Sequence, residues 1–254
     1  MLWSQGVSLE EMKRTFAEAG VEMAGDDWAF FERLRLCVIS GNATMNLTRL
    51  TAQADFYIKH VLDSLLPFLA VPSLREGEPD QLVADLGSGA GFPGFAVAYF
   101  NPSWDVALIE RTQKKATFLE ETAAALGLDN VFVIPMDAAE CAAQISLVDH
   151  KCDLVLARAV GRIGPVTRAA VDLLKTDGRI AHYKGGSPSL DELDEGARAA
   201  RALGMLQMEP AFYELPPDAG RSIILTLNLP SGRKRGAKRR PMRARKGSRG
   251  DRGR

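Results

Sequence analysis

The chain of 254 residues has three cysteines and three histidines, and neither set is clustered. Cys37, Cys141 and Cys152 form no C-x-x-C pair, and with His60, His150 and His182 they make none of the spacings that gather ligands around a metal. Reduced thiols, a cytoplasmic setting and no metal centre are therefore expected. No apolar stretch approaches the roughly 18 residues of a membrane span. The segment from Met1 to Glu11 has no long apolar region and turns acidic early, so no secretory leader is read. What is present is apolar content of 46%, enough for one substantial core with a small extension.

Net charge is also lacking, but the zero conceals a division. Residues 233–254 hold 12 of the 32 Lys and Arg and one of the 32 acids, a net +11. The rest of the chain then carries 20 basic against 31 acidic residues, or −11. With almost nothing to bury, the segment 230–254 is expected to be a disordered basic tail when free. It reads either as a phosphate-contacting arm whose hold weakens with salt or as a solvated tail without a partner.

The most informative stretch runs from Asp85 to Gly94 and reads Asp-Leu-Gly-Ser-Gly-Ala-Gly-Phe-Pro-Gly after the apolar run Leu82-Val83-Ala84. A strand, a glycine-dense turn and a helix place free N–H groups beside a nucleotide-like ligand. Residues 89–94 match the dinucleotide fingerprint G-x-G-x-x-G, with Glu110 about 20 residues on, where a ribose-binding acid is expected. That fingerprint wants its first glycine at the strand end, whereas here Asp85 to Ser88 intervene and bring a carboxylate into the turn. S-adenosyl-L-methionine carries an ammonium and a sulfonium and no phosphate, so an acid in the turn together with Gly87, Gly89 and Gly91 leans toward a methyl donor. A tight turn with no ligand is the third reading.

The order of elements bears on the choice. The first 70 residues read as a helical extension. A capping box of Ser8 and Glu11 opens a helix to about Ala19, and a second helix starts near Asp26. Residues 41–51 read as a loop, and a helix over about 54–69 brings Phe56, His60, Asp63 and Ser64 within one or two turns. From Leu82, strands at 82–86, 105–109, 130–134, 153–157 and 179–183 alternate with helices, which predicts parallel βαβ units in a domain spanning 71–229. The runs 205–213 and 221–228 are joined by only seven residues, too few for a crossover helix, and predict an antiparallel hairpin. Five alternating strands closed by such a hairpin make a Rossmann-like α/β sheet of the class I methyltransferase kind. An oxidoreductase sheet normally continues with parallel crossovers.

Ligands of such sheets gather at the carboxyl ends of the strands. Those ends deliver Asp85 to Gly91, Glu110, Asp137 with Ala138 and Ala139, Arg158, and Lys184. Glu110 is placed to accept from ribose hydroxyls and Asp137 from an adenine amino group, although either also reads as an ordinary solvated acid.

In order along the chain stand Asn46-Leu47-Thr48, His60-Val61-Leu62-Asp63-Ser64, the turn ending Phe92-Pro93-Gly94, Lys114-Lys115 with Phe118-Leu119, Arg158-Ala159-Val160, and Lys184-Gly185. Together, over residues 40–228, they resemble the bacterial small-subunit ribosomal RNA guanine-N7 methyltransferases, the glucose-inhibited division protein B family. The resemblance implies S-adenosyl-L-methionine as donor and 16S rRNA or the small ribosomal subunit as partner, with the guanine in a conserved hairpin loop. It also implies cofactor contacts at Gly87, Phe92, Ala138, Ala139 and Arg158. The chain departs from the family pattern in three places. Gly41 stands where a tryptophan is usual, Asp137-Ala138-Ala139 replaces R-x-E with Glu140 one place later, and the basic tail has no counterpart.

Guanine N7 carries a lone pair and no proton that must leave, so the expected catalysis is orientation of N7 toward the methyl together with electrostatics. A donor to N7 would block attack. Arg158 and Lys184 are therefore expected to address O6 or phosphate, or else to be paired with carboxylates. Asn46, His60 and Asp63 either line the substrate mouth or dock the helices onto the sheet. Lys114, Lys115, Arg158, Arg162 and Arg168 are expected to supply local positive surface. A monomer is expected, and a non-catalytic RNA-binding protein or a small-molecule methyltransferase are the other classes considered.

Overall fold

A computed structural model of the chain describes residues 8–74, 79–145, 151–216 and 219–228. The basic segment from Arg233 lies outside them.

Short, nearly continuous apolar runs, buried on both faces, build the centre of the sheet. Strands β1 (Leu82–Leu86), β2 (Asp105–Ile109), β3 (Val131–Ile134), β4 (Cys152–Arg158) and β5 (Leu174–Gly185) are followed by β6 (Met205–Gln207), β7 (Ala211–Leu215) and β8 (Ala219–Asn228). The order across the sheet is β3-β2-β1-β4-β5-β8-β6, with β7 also on β8. The first five strands are parallel, and β8 runs antiparallel to β5 from Arg179↔Leu227 to Gly185↔Arg221. Because β1 lies between β2 and β4, the chain reverses its winding there, which opens the crevice where α/β sheets bind ligands.

The two faces are covered by different helices. Val83, Leu154, Leu156 and Ala181 join α5 (Gly94–Phe100), α6 (Gln113–Leu126) and the N-terminal helices in one core. Ala84, Leu86, Val155 and Ala157 pack in a second core with α7 (Ala138–Ile145), α8 (Ile163–Ala170) and α9 (Leu190–Ala202).

The expected terminal hairpin is present as β7 and β8, but the run 205–213 is two strands rather than one. The Met208 N–H still donates to the Leu225 carbonyl (2.8 Å). Pro210 then has no N–H to offer, and the ladder resumes at Ala211↔Ile223.

Helix α1 (Leu9–Glu18) carries the expected capping box. Ser8 Oγ accepts from the Glu11 N–H (3.2 Å), and the Glu11 carboxylate accepts from the Ser8 N–H (2.8 Å). Gly20, at φ 78°, ends that helical turn. Helix α2 (Gly25–Met45) runs through residues expected as loop. Tertiary packing overrides local preference here. A Cβ on Gly41 would lie 2.7 Å from Phe118 and 2.9 Å from Leu47, so the missing side chain lets α2 press against α6. Asn46 ends α2 in a left-handed conformation (φ 50°), which its side chain type tolerates.

The expected helix over about 54–69 is present, with one irregularity. Helices α3 (Gln53–Phe56) and α4 (Asp63–Ala70) are joined by a π-helical turn, Tyr57–Leu62. The Asp63 N–H reaches the Ile58 carbonyl, five residues back, and the Lys59 carbonyl accepts from Arg158 Nη1 (3.2 Å). Such turns cluster at functional sites.

Substituting Gly41 with Ala gains about 0.5–1 kcal/mol of helix preference against an overpacking cost of about 1–3 kcal/mol. Gly41→Ala should therefore lower the melting temperature, and Gly41→Trp more so, in thermal unfolding followed by circular dichroism.

Candidate active site

The glycine turn divides into two kinds of glycine. Gly87, Gly89 and Gly91 all have positive φ (69°, 56° and 91°), which favours glycine at each. A Cβ on Gly91 would lie 2.1 Å from Phe95, and one on Gly94 2.2 Å from Leu108, so internal packing demands those two. A Cβ on Gly89 would meet nothing closer than the Gly87 carbonyl at 3.8 Å, and one on Gly87 would meet only Val160. Gly89 thus presents bare backbone to open space at the β1/β4 switch point, and Gly87 beside it is exposed with only the Val160 side chain close by (3.2 Å), which together make a cradle into which a ligand can be laid. Gly91, also expected at the cofactor, serves packing.

Two carboxylates fix this turn. Asp85, buried at the end of β1, accepts from the Gly94 N–H through Oδ2 (2.9 Å) and ties the turn to the start of α5. Burial pushes its carboxyl up to about 6, although the Gly94 N–H opposes the shift. Glu110, at the end of β2, accepts from the Gly89 N–H (3.1 Å) and, through its other oxygen, from the Thr112 N–H (2.8 Å). Each carboxylate oxygen has a second lone pair for a ligand hydroxyl. Asp137 is exposed and caps α7. Its Oδ1 accepts from the Glu140 N–H (2.9 Å), while Ala138 and Ala139 form the first turn of that helix.

Arg158 is engaged by the N-terminal helices. At the end of β4 it donates to Asp63 Oδ2 (3.2 Å) and to the Lys59 carbonyl, and its other terminal nitrogen lies 3.2 Å from His60 Nδ1. A guanidinium only donates, so Nδ1 is the lone-pair nitrogen, and the His60 proton sits on Nε2, donating to Thr48 Oγ1 (3.0 Å). Burial first, and then the Arg158 charge, push His60 down to about 3. Its ring stacks on Phe92 (4.8 Å, 13°), with Arg158 above the same Phe92 ring. The Phe92 side chain therefore faces the helices, and what it offers the turn is backbone.

Asp63 collects the remaining partners. Its side chain has 0% exposure and accepts from Arg158, from Tyr213 Oη (3.0 Å), and twice from Arg221 (3.0 and 2.7 Å). Arg221 and Tyr213 were not legible as site residues. They lie about 150 residues from Asp63 and belong to no motif. The usable signal was the predicted hairpin, whose register places Arg221 opposite Gly185. His60 and Asp63 thus form a docking cluster that joins the helices to β4, β7 and β8. Asn46 is exposed at the end of α2.

The expected positive surface is mostly neutralised. Lys184 pairs with Glu192 (2.7 Å) and donates to the Gly161 carbonyl (2.6 Å). Arg162 and Arg168 both pair with Glu195 (2.7 and 3.7 Å), and the half-buried Arg158 pairs with Asp63. Lys114 and Lys115 carry no ion pair among the described residues. Just beyond Arg158, Ala159 is held at φ 58°, an unusual conformation for a residue with a Cβ. Val160 follows it, exposed over Gly87.

The strand order, terminal hairpin, glycine cradle and acid after β2 define a class I S-adenosyl-L-methionine-dependent methyltransferase. A solved structure of the 16S rRNA (adenine(1408)-N(1))-methyltransferase from Catenulisporales acidiphilia shares this fold (TM-score 0.51, 15% identity, 66% of this chain and 93% of that one). Residues 29–215 match the family model described as rRNA small subunit methyltransferase G. A ribosomal RNA small subunit methyltransferase G from Gloeobacter violaceus is 36% identical over 188 residues, 73% of this chain and 72% of that one. One from Solibacter usitatus is 37% identical over 193 residues, 75% and 85% of the two chains. The chain belongs to the rRNA small subunit methyltransferase G family.

Asp63→Ala leaves two guanidiniums without their carboxylate and should destabilise the fold by about 3–5 kcal/mol in urea unfolding. Acid should destabilise it too. His182, buried between β5 and its neighbours, is likewise pushed down to about 3 from 6.5, chiefly by burial. A histidine with a lowered folded value binds fewer protons than the unfolded chain, so stability is lost as pH falls from about 6.5 toward 3. Asp85 acts in the opposite sense between 3.8 and about 6. Two histidines against one aspartate give a net loss on acidification. Urea unfolding of His182→Gln should show a shallower fall between neutral pH and pH 5.

Proposed function

We propose that this enzyme transfers a methyl group from S-adenosyl-L-methionine to N7 of a guanine in a hairpin loop of 16S ribosomal RNA. It would act as a monomer, in the cytoplasm, on the rRNA or the small ribosomal subunit. The observation that carries the reading is the open cradle of Gly87 and Gly89 beside Glu110, at the switch point of a chain from this family.

The bound donor supplies an electrophilic methyl on a sulfonium. The chain's own residues bind and orient. Gly87 and Gly89 offer close backbone approach, and Glu110 offers carboxylate oxygens to ribose hydroxyls. Asp85 keeps the turn closed on α5 and brings negative charge to the ammonium end. Asp137 caps α7, so the adenine side falls to the backbone of Ala138 and Ala139 together with the remaining Asp137 oxygen. Phe92 and Arg158 hold the turn against the helices, and the exposed Asn46 is assigned to the substrate side.

The groups near the cradle suit N7 as acceptor. His60 is a buried neutral donor to Thr48, and Asp85 is engaged with Gly94. Neither needs to act as a base, because N7 carries no proton that must leave. The chemistry then rests on alignment and charge. A loop guanine fits because specific RNA readers take unstacked bases. Lys184 would have to leave Glu192 before it could meet O6 or a phosphate.

The test is transfer of labelled methyl from S-adenosyl-L-methionine to small subunits and to naked 16S rRNA, with mapping of the modified base. Label at a single guanine N7 is the expected result, and label elsewhere, or none, would overturn it. Glu110→Ala should weaken cofactor binding by calorimetry at least about tenfold, the scale of a lost charge-assisted hydrogen bond pair. An unchanged dissociation constant would remove Glu110 from the cofactor site.

A further inference from the structure

Between β4 and α8 the chain crosses the ligand edge in a segment tied down at both ends. Before the crossing, the Arg158 side chain donates to Asp63 Oδ2 and to the Lys59 carbonyl. After it, the Gly161 carbonyl accepts from Lys184 Nζ (2.6 Å), and the Ile163 N–H donates to Glu192 (3.2 Å). Only Ala159 and Val160 span the interval, and Ala159 does so at φ 58°. A Cβ makes that conformation unfavourable, and such outliers persist where the surroundings over-determine them. Glycine would sit there without strain but would roam between wells, whereas alanine is confined to one narrow well. The strained residue therefore fixes the direction of the residue that follows.

That residue is Val160. Its side chain is 42% exposed and belongs to neither hydrophobic core, so it does little for the free protein. Both of its methyls are turned to the glycine turn, with Cγ2 and Cγ1 3.2 and 3.8 Å from where a Gly87 Cβ would stand. The sheet order β3-β2-β1-β4 says what could meet them. With the adenine assigned to Ala138 and Ala139 past β3, and the ribose to Glu110 past β2, the sulfonium end of the donor falls to the β4 side. Val160 stands there. A branched apolar side chain suits the place. It has no lone pair to compete for the methyl and no N–H to cover N7, and it sheds water on contact.

We infer that Val160 is a donor-contact residue, packing its two methyls against the sulfonium end of S-adenosyl-L-methionine, and that Ala159 is the positioning residue that aims it. The inference rests on the proposed placement of the donor and deepens it.

The experiment compares the native chain with Val160→Ala, Ala159→Gly and a control, Leu206→Ala, whose side chain is similarly exposed (47%) on β6 at the far edge of the sheet. Three quantities are measured: the melting temperature of the ligand-free protein by circular dichroism, the dissociation constant of S-adenosyl-L-methionine by calorimetry, and kcat and KM for labelled methyl transfer to small ribosomal subunits. Val160→Ala should leave the melting temperature in place, because the contact forms only with ligand. It should weaken donor binding about three- to tenfold, the scale of one or two methyl groups left unburied. Ala159→Gly should melt at or above the native temperature, yet lose at least about threefold in kcat at saturating donor as the aim of Val160 loosens. Leu206→Ala should move neither affinity nor turnover. Native donor affinity in Val160→Ala would overturn the contact. So would a fall in its melting temperature that accounts for the lost affinity, since that is the mark of a structural role. Native kcat in Ala159→Gly would overturn the positioning role. If the native chain binds donor but labels no rRNA, the proposed substrate fails, and the affinity of Val160→Ala still decides the contact.

Discussion

One buried carboxylate holds this molecule in its working shape. Asp63 sits with no exposure where a helix meets the carboxyl edge of the sheet, and it receives donors from β4, β7 and β8. Removing an anion from water is costly unless its lone pairs are filled, and here two guanidiniums and a phenol fill them. The same residues fix the angle between the N-terminal helices and the sheet. The Arg158 guanidinium that pairs with Asp63 also sets the His60 tautomer and lies over Phe92, inside the glycine turn. The orientation of the turn, the position of the helices and the path of the terminal hairpin are therefore one constraint satisfied at one place.

The site separates the labour of its acids in the same way. Asp85 near the end of β1 and Glu110 just past the end of β2 both accept from the backbone of the turn, but their surroundings differ. Asp85 is enclosed and pushed up to about 6, which suits a latch. Glu110 is also buried, yet its two oxygens bridge the turn and the start of α6 beside the open face of Gly89. A donor bound as proposed would meet a turn already tied to β1, β2 and α5 by hydrogen bonds, so less of its binding energy would go into ordering loops.

Much of the fold was legible because its signals are local. The capping box of Ser8 and Glu11, the alternation of short apolar runs and the brief link before β8 each act through neighbours in sequence. The part that stayed hidden depends on distant residues. Gly41 reads as a helix breaker until Phe118 arrives against it, and Pro210 interrupts a run whose composition suggests one strand. At the site, the strand ends fall where the sequence places them, but the direction of side chains was not visible. Arg158 reads as a ligand-edge cation and turns inward because Asp63, 95 residues earlier, is waiting for it. Lys184 reads as a strand-end cation and Arg162 and Arg168 as positive surface, and α9 supplies acids opposite all three. Single positions carry no record of which partner claims them.

The π-helical turn ties chain length to function. A π turn holds one residue more than the α turn it replaces, and its wider winding sends the Asp63 N–H to Ile58 while the Lys59 carbonyl meets Arg158. Loss of one residue between Tyr57 and Leu62 would let the segment relax into ordinary α-helix, which local preference favours. Every side chain beyond it would then swing by about 100° about the helix axis, and Asp63 would face away from its guanidiniums. The helix would be more regular and the enzyme disassembled at its joint, so length in this turn is under tighter constraint than composition.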